Sequence, residues 1–354
     1  MDAVNLLRLL TDYFSDEELQ TLCFRLSVDY DILEGKGKEG KARGLIIYLK
    51  HRERLVELVE QIRHLRPNLT QELQKLGKGS HVPETPLLSP MSEGKSRLHE
   101  RESRDILEKL SQKRLVLCIG ADLAEQMTGL PSRQMLAETL AKRERIAQGQ
   151  RLAAVTQQMM SHGERFTFTD FLRQALNTSG KSPQPFHRHI VDMVHLYQIQ
   201  RIITTAYDDL LELAFRQAGI ELNRVVTEAD LNFIRPDFPT LIKLYGDWQQ
   251  VDTLVVTDRD QNTLLLGRDK PEIVNDVRQT FRRHTVLFLG CDLSDMAFIS
   301  LFDSVAGDRF QLPSYAVWTG LTPLERESFK SNRHLTILET DPLLLLTSFL
   351  GVGA

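Results

Sequence analysis

Cysteine is scarce in this chain: three in 354 residues, at positions 23, 118 and 291. No two of them have metal-ligand spacing, and Cys118 and Cys291 lie inside apolar runs. That pattern reads as buried, reduced thiols of a cytoplasmic protein, not as a metal grip or a disulfide framework. A long apolar run is also missing. No segment approaches the ~20 apolar residues that cross a bilayer, and Leu343–Leu346 is far too short. Nor does one sign of charge dominate: 44 lysines and arginines face 48 aspartates and glutamates, a net −4. A broad basic surface for nucleic acid is therefore not expected. One short basic patch remains, Lys36, Lys38, Lys41 and Arg43, which a solvated loop explains equally well.

What is present describes a water-soluble globular protein, 42% hydrophobic and 26% charged. Its length suggests two or three domains. Residues 1–70 read as a small helical bundle. Val4, Leu6, Leu7, Leu9 and Leu10 fit one apolar face. Ser15 and Glu18 form a capping box for the next helix, with Phe14 and Leu19 as its hydrophobic staple. Further helices are expected at Lys41–Lys50 and Arg54–Leu65, the last stopped by Pro67. Residues 71–97 lose all periodicity, and Gly77, Gly79, Pro83, Pro86, Pro90 and Gly94 mark a flexible tether.

From 98 to 354 the pattern alternates helix and strand. Strands are expected at 115–119, 201–205, 241–244, 254–256, 285–289, 315–318 and 335–339. Most are apolar nearly throughout, which predicts a mostly parallel sheet of about six strands with helices on both faces. The stretch 125–200 is helical and interrupts the alternation, so part of it should cover the carboxyl ends of the strands. Runs such as Leu117-Cys118-Ile119-Gly120-Ala121-Asp122 and Phe288-Leu289-Gly290 end in the polar and glycine residues found where open α/β sheets bind ligands.

Two stretches resemble known families. Phe14-Ser15-Asp16-Glu17-Glu18-Leu19, Leu22-Cys23-Phe24, Asp29-Tyr30-Asp31, the turn at 35–40 and Leu65-Arg66-Pro67-Asn68-Leu69 resemble the bacterial effector-associated domain 7, a death-like helical adaptor. Gly120-Ala121, Gly129-Leu130-Pro131-Ser132, Thr204-Thr205-Ala206-Tyr207-Asp208-Asp209, Lys243-Leu244-Tyr245-Gly246, Phe288-Leu289-Gly290 and Leu293-Ser294-Asp295 resemble the prokaryotic SIR2-like domain, in the family's order. The resemblance implies an all-α bundle joined to a Rossmann-like α/β domain that binds NAD and cleaves its glycosidic bond. It implies partners too: a second copy of the chain, or another effector-associated-domain protein, engaged through residues 1–70. No membrane, nucleic acid or metal is implied.

The departures from that pattern fall on the chemistry. Asp122 replaces the second glycine of the family's Gly-Ala-Gly loop and places a negative charge where a diphosphate would lie. Ala124 replaces its serine. Ala206 stands where the family has the asparagine that holds water or ribose, and a methyl group does neither. Tyr245 stands where the family has its histidine base; a phenol near pKa ~10 is a poor base at neutral pH. Asparagine to alanine and histidine to tyrosine are also the changes that would silence such a site by hand, but Asp122 and Ala124 favour natural divergence.

The expectation is therefore a domain with little or no NAD hydrolysis. It would hold NAD or an ADP-ribose-like nucleotide weakly through Gly120, Ala121, Asp122, Thr204, Thr205, Tyr245, Gly246, Gly290 and Asp295. Asp208 and Asp209 are the candidates for a rewired active site, and one of them should cap the helix that follows. Lys243, two residues before Tyr245, should face the same side of its strand. His187, His189 and His195 are expected in surface or capping roles. The alternative is an active NAD glycohydrolase.

Overall fold

The computed structural model describes residues 3–26, 28–30, 33, 35–50, 54–66, 100–123, 125–160, 165–178, 180–293, 296–306 and 312–351. The expected tether at 71–97, Ala124, Ser294 and Asp295 lie outside them. The chain divides into two compact units, residues 1–111 with 344–354, and residues 112–343.

The first unit contains helices α1 (Ala3–Tyr13), α2 (Asp16–Arg25), α3 (Gly37–Lys50) and α4 (Leu55–Leu65), then α5 (Glu100–Ser111). The start of α2 follows the sequence signal. The Glu18 backbone N–H donates to Ser15 Oγ at 3.2 Å, and the Ser15 N–H donates to a Glu18 carboxylate oxygen at 2.9 Å. Phe14 and Leu19 are both buried beneath that box. Leu6, Leu10, Leu22, Cys23, Leu45, Ile46, Leu49, Leu58 and Ile62 fill the bundle interior. The lysines of the short basic patch are partly tied down. Lys38 Nζ donates to the Thr11 carbonyl and Lys41 Nζ to those of Tyr30 and Leu33. These carbonyl contacts account for Lys38 and Lys41.

The second unit is built on a seven-stranded sheet in the order β3-β4-β2-β1-β5-β6-β7, every pair parallel. The strands are β1 (Leu115–Ile119), β2 (Arg201–Thr204), β3 (Asn223–Val225), β4 (Thr240–Lys243), β5 (Thr285–Leu289), β6 (Ser314–Val317) and β7 (Leu335–Leu338). Every residue of β1 and β5 is buried, as expected of central strands covered on both faces. Between β1 and β2 lie α6 (Glu125–Thr128), α7 (Arg133–Arg143), α8 (Leu152–Met160), α9 (Arg165–Ala175) and α10 (Pro185–Tyr197). Later helices are α11 (Leu210–Gln217), α12 (Asp258–Leu265), α13 (Pro271–Arg283), α14 (Met296–Ala306) and α15 (Pro323–Arg333); α16 (Pro342–Leu350) follows and belongs mostly to the first unit. Phe281 of α13 and Phe302 of α14 meet Phe288 of β5 at ring separations of 6.0 and 5.3 Å.

One expected strand is absent. Residues 254–256 form no strand; they follow a 3-10 turn at Val251–Thr253. Their side chains are buried against the main core, so their apolar character reflects packing, not ladder pairing. The seventh strand is β3, which sequence reasoning passed over.

Candidate functional site

Chain direction across the sheet reverses at β1 and β5. The connection after β1 leads to β2, and the connection after β5 leads to β6 on the other side. In open α/β sheets the crevice outside the carboxyl ends at such a switch point is where ligands bind. Here the two loops that flank the crevice are joined by their backbones. The Gly120 N–H donates to the Leu289 carbonyl at 2.8 Å, and the Asp122 N–H to the Gly290 carbonyl at 2.9 Å.

Glycine is required on both sides of this junction. A Cβ on Gly120 would lie 2.0 Å from the Gly290 carbonyl oxygen. Gly290 has φ +63°, and a Cβ there would meet the Leu123 side chain at 2.3 Å. Gly246 turns the chain after β4 at φ +87°, with the Thr253 carbonyl 2.2 Å from a would-be Cβ. These glycines serve chain crossing, and the Gly120 N–H that a phosphate would use already has an acceptor.

Thr204 is likewise engaged. Its hydroxyl donates to the Ile119 carbonyl at 2.9 Å and accepts from the Ala206 N–H at 3.0 Å. The neighbouring Thr205 N–H also donates to the Ile119 carbonyl, and the Thr205 side chain is buried. Gly120, Ala121, Thr204, Ala206 and Asp208 share the wall of a small cavity of about 50 Å³ with Leu136, Leu176, Phe186, His187 and Glu212. The helices inserted between β1 and β2 therefore do line the site at the strand ends. His187 is buried, and its Nδ1 accepts the Gln184 N–H at 3.1 Å, capping α10. Burial, aided by Arg188, lowers its pKa to about 4.

Of the two aspartates, one caps the following helix and the other does not. Asp208 Oδ1 accepts from the Leu210 N–H at 3.1 Å and so caps α11. Asp209 instead receives hydrogen bonds from Thr178 Oγ1 at 2.6 Å and Gln249 Nε2 at 2.9 Å. Burial pushes the Asp208 carboxyl above the usual range, against the pull of Lys243.

Strand β4 ends at Lys243, and Tyr245 lies beyond it, just before the turn at Gly246. Lys243 is fully buried. Its Nζ donates to Asp247 Oδ2 at 2.6 Å, to Glu212 Oε1 at 3.0 Å and to the Asp208 carbonyl. Arg224 adds a second cation, 2.6 Å from Asp247 and 3.4 Å from Glu212. Burial works against the Lys243 ammonium, but Glu212, Asp247 and Asp208 together hold its pKa above the usual lysine range. Asp247 is the firm anion of the group: burial opposes it, yet Lys243 and Arg224 hold its pKa low.

Tyr245 is 1% exposed and packs into the main core. The Arg133 guanidinium lies 4.7 Å from its ring centre and 6.0 Å from that of Tyr207. The family's base position is thus filled by a covered aromatic ring. Sequence reasoning missed Arg133. Its signal was an arginine in the first turn of α7, the end where the helix dipole disfavours a cation.

A larger space at the strand ends lies elsewhere. A cavity of about 460 Å³ lies over β5 to β7, lined by Asp122, Gln134, Gly290, Cys291, Asp292, Trp318, Thr319 and Thr340 among others. That volume falls in the range of small-molecule sites. It offers an aromatic ring and hydroxyls, and among the described residues no lysine or arginine lines it. Of the expected nucleotide contacts, Asp122 and Gly290 reach this cavity, Gly120, Ala121 and Thr204 reach the smaller one, and Asp295 lies outside the described residues. Among the described residues no cluster of His, Cys, Asp and Glu could hold a metal ion.

Residues 6–67 match the family model of effector-associated domain 7, and residues 200–338 match that of the SIR2-like domain. The chain is an effector-associated domain 7 joined to a SIR2-like domain. The SIR2-like match begins after β1, so the likeness of the Gly120 loop stands on its place at the switch point. Similar solved structures include one described as the structural basis for the mechanism and regulation of Sir2 enzymes, at 13% identity and TM-score 0.47, covering 72% of this chain and 98% of that one. Another, a Sir2 homolog–NAD complex, has 13% identity and TM-score 0.47 and covers 70% and 92%. A third, a Sir2 mutant with a p53 peptide and NAD, has 14% identity and TM-score 0.43 and covers 70% and 97%. No curated protein matches the chain. Among the described residues no helix is long and apolar enough to cross a membrane.

Proposed function

We propose that this chain is an adaptor or regulator in a bacterial defence or signalling assembly, and that its SIR2-like domain binds a nucleotide weakly without cleaving it. The observation that carries this reading is Tyr245, buried under Arg133 where the family has a base, taken together with the alanine at 206. Glycosidic cleavage needs a group to place the nucleophile and groups to stabilise charge growing on the ribose. Ala206 supplies neither, and Tyr245 is inaccessible. Binding has separate requirements, and the 460 Å³ cavity with Trp318 meets several of them. The carboxylates of Asp122 and Asp292 on its wall disfavour a diphosphate, which accounts for the weakness. The helical domain would recruit a second copy or another effector-associated-domain protein.

A second reading has one observation in its favour. Asp208 lines the small cavity next to Ala206, and its burial favours the protonated acid. A carboxyl of that kind suits general-acid chemistry. This would make the chain an NAD glycohydrolase with a rewired site.

Nicotinamide release from NAD at high protein concentration separates the two. The expected result is no release above a blank, with ADP-ribose heat detectable by calorimetry. Turnover that disappears in Asp208→Ala would replace the first reading with the second. The double variant Ala206→Asn, Tyr245→His is the companion: it gains release if the surrounding frame is intact.

A further inference from the structure

Cys118 and Cys291 are far apart in sequence, yet the fold brings their sulfurs to 3.9 Å at the β1–β5 switch point. Cys291 Sγ also donates to the Cys118 carbonyl at 3.5 Å, which orients its thiol toward β1. A disulfide bond is ~2.0 Å long, so closure asks for under about 2 Å of sulfur travel. The two thiols differ in access. Cys118 is 0% exposed, whereas Cys291 is 7% exposed and lines the 460 Å³ cavity.

We propose that Cys118 and Cys291 are a redox modification site, in which a peroxide entering the cavity converts the pair to a disulfide that ties the Gly290–Asp292 loop to β1. Cys291 reacts first because it borders the cavity. Its thiolate sulfur attacks one peroxide oxygen, the O–O bond breaks, and hydroxide leaves and takes up a proton to become water. Cys291 is then a sulfenic acid. The Cys118 sulfur attacks Cys291 Sγ, the S–O bond breaks, and a second water leaves. In total two thiols are oxidised by two electrons and one hydrogen peroxide is reduced to two waters. Burial holds the Cys291 thiol in its protonated form, so the first step is the slow one. An adjacent resolving thiol is what stops a sulfenic acid from advancing to irreversible products.

The test is to treat the full native chain with hydrogen peroxide, block remaining thiols, and digest without reductant for peptide mass spectrometry. The expected product is a Cys118–Cys291 linked peptide, 2 Da lighter than the two thiol peptides together and reversed by dithiothreitol. Cys23→Ser should leave the link unchanged. Cys291→Ser should abolish it and leave Cys118 reduced. The linked protein should also melt higher than the reduced one. The proposal is overturned if peroxide carries Cys291 to sulfinate with no link, if the link forms only after denaturation, or if Cys118 oxidises equally in Cys291→Ser.

Discussion

At the residue scale, the glycines of the switch point separate two roles that look alike in sequence. A phosphate-loop glycine and a crossing glycine both end an apolar strand. Gly120 is the second kind, since its missing Cβ makes room for the Gly290 carbonyl. Gly120→Ala is therefore expected to destabilise the domain by more than about 3 kcal/mol, read as a lower urea midpoint. A pure ligand-contact glycine would leave that midpoint unchanged. His187 gives a second residue-scale expectation. Its folded pKa of about 4 lies below its ordinary 6.5, so the folded state favours the neutral ring. Its contribution is complete above pH 6.5 and is lost as pH falls toward 4, up to about 3 kcal/mol in all. Protonation also removes the lone pair that caps α10. In NMR the His187 ring should not titrate above pH 5, and His187→Gln should flatten the fall of melting temperature across that window.

At the scale of elements, most of the α/β alternation was legible because buried parallel strands announce themselves as continuous apolar runs. The errors are equally physical. Strand β3 is three residues, Asn223-Arg224-Val225, too short and too polar to stand out. Residues 254–256 look like a strand because they are buried, but an apolar run reports burial and not its geometry. Helix α12 was passed over because its cap pairs Thr257 with Asp260, not with the Glu or Gln of the usual box. Of the site, the strand-end segments were legible and the interactions among them were not. Lys243 was visible only as part of a family motif. Its partners Glu212 and Asp247 come from a helix and a turn, and Arg224, which pairs with the same two carboxylates, comes from an edge strand. Removing one member of such a buried group strands the others. Lys243→Met should cost about 3–5 kcal/mol by denaturant titration, and it should loosen hydrogen exchange at 206–210 as well as at 244–250.

At the scale of the whole molecule, the reading as an assembly component makes a direct demand on mass. Phe24 is 85% exposed and Tyr13 44% exposed on the helical unit, while the acidic first turn of α2 carries Asp16, Glu17 and Glu18. If that unit associates, light scattering on the full chain should rise above the 40.6 kDa of one chain as concentration increases, and Phe24→Glu should return it to that value. A mass of one chain at every concentration, with no partner recovered by the helical unit, would leave the bundle as an appendage.

The order of the sheet has a consequence for how the protein is made. Strand β1 lies at the centre, and its neighbour β5 begins at Thr285, opposite Leu115. On the ribosome, at ~5–20 residues per second, β1 waits roughly 10–30 seconds for that partner to emerge. During that interval one fully apolar strand has an open edge, the state in which nascent chains aggregate. The helices between β1 and β2 arrive first and can shield it. The insertion that lines the strand-end cavities in the finished protein is thus made in time to cover the nascent central strand.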